Sequence, residues 1–137
     1  MTIELSLLIV GVLHAVLLSL HAIYIIGAHG LLWAIGRRSM PVTKTDVDRR
    51  FERTIANNVE SLVAFIPVAL VALFLGEQTP VVLIACAVYV AGRVGFMLSY
   101  LANVPVIRTL FWSAANLSIY VVAASAGHRL LSQLLFG

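Results

Sequence analysis

The sequence has little charge. Of its 137 residues only 11% are Asp, Glu, Lys or Arg, while 61% are hydrophobic. Soluble domains carry about 25% charged and about 45–50% apolar residues. A water-soluble globule and a disordered chain are therefore excluded. Cysteine is almost missing: Cys86 stands alone, so no internal disulfide and no disulfide scaffold is possible. A basic N-terminal region is lacking too. The first charge is Glu4, and the apolar run behind it is too long for a signal peptide. The first helix is therefore expected to be retained. Internal repeats and low-complexity segments are absent.

Long apolar runs remain, and a membrane-crossing helix needs about 20 such residues. Residues 5–36 contain no Asp, Glu, Lys or Arg, enough for one long helix but not for two and a turn. Residues 54–76 carry one charge (Glu60), residues 81–102 one (Arg93), and residues 110–127 none. The expected fold is all-α, a single four-helix transmembrane domain over residues 1–137. Its helices are expected near 3–36, 46–75, 81–102 and 107–135.

The net charge of +3 matters less than where the charges lie. Arg37, Arg38, Lys44, Arg49, Arg50 and Arg53 all fall between the first two spans, and Arg108 falls on the same side. The positive-inside rule places that side in the cytoplasm and both termini outside. Such sorting reads as membrane topology and gives no sign of a nucleic-acid partner. The second helix is expected to start before the membrane, since Thr45-x-x-Asp48 resembles a capping box. Pro67 is expected to kink it. Ala87, Ala91 and Gly95 recur at i, i+4 and i+8, a spacing that lets helices approach closely in lipid.

Glu60 and Arg93 are the informative charges, because an ionised group near the bilayer centre costs about 2.5–3.5 kcal/mol on insertion scales. A structural ion pair between them is the plain reading. Their surroundings point further. Arg53, Asn57 and Glu60 at i, i+4, i+7 share one helix face, as do Arg93 and Tyr100 at i, i+7. Arg108 opens the last helix, where free amides already favour an anion. Three Arg, one Asn, one Glu and one Tyr exceed what an ion pair needs. They fit an anionic ligand whose carboxylates are held bidentately.

These residues carry a resemblance as well. Glu52-Arg53-Thr54-Ile55-Ala56-Asn57-Asn58-Val59-Glu60 resembles the E-R-x-x-x-N-x-x-E signature of the MAPEG family, membrane-associated proteins in eicosanoid and glutathione metabolism. Gly92-Arg93, Tyr100 and Pro105-x-x-Arg108-Thr109 resemble its second signature. The resemblance covers most of the chain. It implies a homotrimer with glutathione as cosubstrate, bound between subunits near the cytoplasmic face. Arg53, Asn57, Glu60, Arg93, Tyr100 and Arg108 would line that site, with Glu60 on the glutathione amino group and Arg108 on the thiolate. Arg38 would reach a neighbouring subunit's site. The implied activity is a glutathione S-transferase, with peroxidase activity beside it, acting on a lipophilic small molecule; the short chain suggests a bacterial inner membrane. Ala56 and Ile55 depart from the family pattern, so a catalytically silent scaffold or binding protein of the same fold stays open.

Other features carry less. His14 and His21 at i, i+7 lie about 10.5 Å apart along a helix, too far for one metal ion, so no metal site is expected. These histidines and His29 read as packed or hydrogen-bonded between helices. Cys86 reads as an inert buried thiol. The Asn116-Leu117-Ser118 sequon lies inside a span and is discarded. Trp33 and Trp112 read as interface anchors, and the charges from Arg37 to Arg50 as headgroup contacts. A small transporter, with Glu60 coupling protons to a lipophilic cation, conflicts with the three Arg residues.

Overall fold

Lipid offers a backbone amide no hydrogen-bond partner, so an apolar chain in it must satisfy its amides internally. The chain does so with helices. The computed structural model describes residues 1–36 and 43–136. Its elements are α1 (Ile3–His29), α2 (Leu31–Ile35), α3 (Asp46–Phe74), α4 (Pro80–Leu101) and α5 (Pro105–Phe136). Four of them, all but α2, are long and apolar enough to cross a membrane. Among the described residues there is no strand.

The uninterrupted first helix expected over 3–36 is instead broken at Gly30. This residue sits at φ 86°, a region that suits glycine alone among common residues. Its N–H caps α1 on the Ile26 carbonyl, and its own carbonyl accepts from Ala34 to start α2. The start of α3 follows the capping-box expectation. Asp48 N–H donates to Thr45 Oγ1 at 3.1 Å, and Thr45 N–H donates to Asp48 Oδ2 at 2.8 Å. His29 Nε2 lies 3.0 Å from the same carboxylate oxygen, tying the end of α1 to the start of α3. The α3 helix then runs through Pro67 without stopping.

The helix packing is uneven. α3 and α4 each touch every other long helix, while α1 and α5 do not touch among the described residues. Phe65 of α3 stacks on Tyr89 of α4, ring centroids 3.7 Å apart, and the Tyr89 hydroxyl meets Ser61 Oγ at 3.0 Å. Around this pair lie Ile3, Val10, Ala69, Val82, Cys86, Ala115 and Val122, all buried. The lipid-compatible outer faces stay apolar, as with Leu8, Ile23 and Leu117.

Close approach occurs between α4 and α5, on a face shifted from the expected one. Ala87 is half-buried and Ala91 exposed. The tight contacts are instead at Gly92 and Gly95. A Cβ on Gly92 would stand 3.0 Å from the Phe111 carbonyl oxygen and 3.1 Å from the Ala115 methyl. One on Gly95 would stand 2.5 Å from the Phe111 ring. Where they are described, the charges of the first loop and the start of α3 have protein partners. Lys44 pairs with Glu52, Arg49 with Asp46, and Arg50 Nη1 donates to the Leu101 carbonyl at 3.1 Å.

At the opposite end, Glu77 in the α3–α4 turn is buried against α5. It accepts from Ser125 Oγ at 2.9 Å and Arg129 Nη1 at 3.2 Å. The Ser125 hydroxyl, aided by Thr79 and Arg129, outweighs burial and holds the carboxyl below its ordinary range.

Two outcomes follow. Gly92→Val forces α5 away from α4 and lowers stability by about 1–3 kcal/mol, measured as a lower Tm in detergent. For Glu77 the folded pKa lies below the unfolded one, so its stabilisation is complete at neutral pH and lost as pH falls below about 4.3. Glu77→Gln therefore lowers Tm at pH 7, and melting curves of the two proteins converge in acid.

Candidate functional site

The start of α3, the end of α4 and the start of α5 share one end of the bundle. Their facing sides form a cleft of about 450 Å³. That lies within the usual range for a small-molecule site. Its lining includes Arg53, Asn57 and Glu60 from α3, Tyr100 from α4, and Arg108 from α5. The i, i+4, i+7 spacing puts the first three on one helix face, and the short α4–α5 turn brings the other two together. Asn103, at φ 62°, makes that turn: its N–H donates to Tyr100, and Val104 N–H donates to Ser99. Ala56, Phe96, Thr109 and Trp112 complete the wall. Trp112 is thus a cleft residue as well as an aromatic near a helix end.

The cleft is rich in donors. The Arg108 guanidinium lies over the Tyr100 ring, 4.6 Å from its centroid, a cation–π contact that fixes both side chains. Arg108 sits in the first turn of α5, whose free amides add partial positive charge. Arg53 and Glu60 form no ion pair with a described residue and are exposed to the cleft. Two guanidinium groups, an amide, a phenol and one carboxylate suit a ligand with carboxylates and a single ammonium.

Arg93 is placed differently. It is 1% exposed and does not line the cleft. It makes no ion pair with Glu60. Its Nε and Nη2 donate to Asn58 Oδ1 at 3.1 and 2.9 Å, and its Nη1 donates to Asn57 Oδ1 at 3.1 Å. The Phe96 ring lies 4.9 Å from its guanidinium carbon. Two amide oxygens and a ring face thus stand where the plain ion-pair reading would put a carboxylate. The shared face proposed for Arg93 and Tyr100 is split: Tyr100 reaches the cleft, Arg93 the packed interior behind Asn57.

One participant escaped the sequence reading. Asn58 was hidden by its neighbour, since one helical step turns it about 100° away from the Asn57 face. His14 of α1 meets it, with Nδ1 3.0 Å from Asn58 Nδ2. Arg38 lies outside the described residues. Among the described residues, no group of three His, Cys, Asp or Glu is placed to hold a metal ion.

Four apolar spanning helices around a buried polar seam define an integral membrane helical bundle. A model of the MAPEG family matches residues 7–128, and the chain belongs to that family. It is therefore a membrane protein of the glutathione and eicosanoid metabolism family. No curated protein and no solved structure matches the sequence.

Proposed function

We propose that the chain is a membrane-bound glutathione S-transferase, with peroxidase activity toward lipophilic hydroperoxides beside it. The observation that carries this reading is the convergence of Arg53, Asn57, Glu60, Tyr100 and Arg108 on one cleft. Glutathione has two carboxylates, one ammonium and one thiol. Arg53 and Asn57 match the carboxylates, and Glu60 matches the ammonium. Arg108, with the α5 N-terminus, stabilises the thiolate and so raises the fraction of reactive nucleophile at neutral pH.

In the transfer step the thiol proton leaves to solvent. The thiolate sulfur then forms a bond to the electrophilic carbon, and the leaving group departs with its electron pair. Phe96 and Trp112 give the cleft an apolar edge for a lipophilic partner. In keeping with the family resemblance, the working unit is a homotrimer in which a second copy closes the open side of the cleft and lends Arg38. A bacterial inner membrane, with the first loop cytoplasmic and both termini outside, completes the reading. A catalytically silent binding protein is the alternative. It draws on Ala56, which gives the cleft wall only a methyl.

Binding to the folded state must raise its melting temperature. Glutathione at millimolar concentration is expected to raise the Tm of detergent-purified protein in proportion to dose, and Arg53→Ala to abolish the rise. No rise in the wild type refutes the glutathione reading. Arg108→Ala should keep binding but lower the conjugation rate about 100-fold, as for loss of one preorganised donor at a developing anion. Binding without turnover across a range of electrophiles would favour the silent alternative.

A further inference from the structure

The hydrogen bonds behind the cleft have a direction. Asn58 Oδ1 accepts two N–H groups from Arg93, so its amide nitrogen must face His14. A flipped amide would set donor against donor. An amide nitrogen only donates, so His14 Nδ1 must accept. That fixes His14 as a neutral imidazole with its proton on Nε2. The same logic orients Asn57. Arg93 Nη1 claims its Oδ1 from the interior side, which leaves its Nδ2 hydrogens for the cleft.

We propose that His14, Asn58 and Arg93 are positioning residues, a relay that holds the Asn57 amide with its N–H donors toward the ligand. The group bound there is an acceptor, a carboxylate or peptide carbonyl, and Arg93 itself touches no ligand. The relay runs from α1 through α3 to α4 and back to the cleft wall. It gives a buried guanidinium a task that a bare structural pair would not have. The ligand used to test it rests on the glutathione reading above.

The test uses the full chain in detergent, with glutathione titrated by calorimetry and the imidazole nitrogens observed by ¹⁵N NMR. The wild type is expected to show His14 neutral with an unprotonated Nδ1. His14→Leu removes the acceptor and should weaken glutathione binding about tenfold, the scale of one lost buried hydrogen bond. His14→Gln, which restores an acceptor oxygen, should recover most of it. Asn57→Asp keeps the bond to Arg93 but has no donors. It should melt at or above the wild-type temperature and still lose binding. A charged or Nδ1-protonated His14 at neutral pH overturns the relay. So does wild-type affinity in folded His14→Leu, or in Asn57→Asp. Should the wild type itself bind no glutathione, that reading fails separately, and the imidazole signature still decides the relay.

Discussion

The rest of the site depends on how one buried positive charge is accommodated. Arg93 lies in a spanning helix at 1% exposure, where an uncompensated guanidinium would be costly. No carboxylate among the described residues pairs with it. Two asparagine oxygens and an aromatic face take up the charge instead. This solution leaves the net charge in place. In a medium of low dielectric constant that charge adds to those of Arg53 and Arg108, and the cleft gains a positive potential from behind as well as from its walls. Glu60 forms no ion pair with a described residue and stays exposed to the cleft.

Rigidity comes from the helices that carry these groups. α4 and α5 pack so tightly at Gly92 and Gly95 that a methyl there would push their neighbours aside, which holds Tyr100 and Arg108 in place relative to one another. The Glu77 clasp at the far end and the His29–Asp48–Thr45 cluster at the near end hold α5 and α1 against the central pair. Each clasp centres on a buried carboxylate, Glu77 or Asp48, whose partners are supplied. That is what a chain needs in a medium that offers no water to a stray donor or acceptor. The cleft is open on one side, where the proposed second copy would sit.

Much of this was legible from residue spacing. Four spans followed from the apolar runs, since hydrocarbon thickness sets the length that a helix must have. The face shared by Arg53, Asn57 and Glu60 followed from the 3.6-residue turn, and the Thr45–Asp48 cap from its own local chemistry. The failures have a common cause. Arg93 was placed on the ligand face from its i, i+7 spacing to Tyr100, with a pair to Glu60 as the plain alternative, yet either contact also needs the side chain to point the right way. The approach of α4 to a neighbour was read from Ala87, Ala91 and Gly95, whereas rotation of α4 about its axis presents Gly92 and Gly95. The break at Gly30 was passed over because a glycine inside an apolar run looks no different from one tolerated within a helix.

By itself the sequence determined the class of protein, its number of spans and the identity of the polar side chains gathered near one end. These are properties of composition and of helical periodicity, and both act locally along the chain. Only the tertiary structure decided which of those side chains face the cleft and which lie behind it. That assignment depends on helix rotation and on the 3 Å geometry of amide and guanidinium groups. Asn57 and Asn58 show the difference most sharply: adjacent and chemically identical, they are separated only by the turn of one helical step, one facing the cleft and the other the interior.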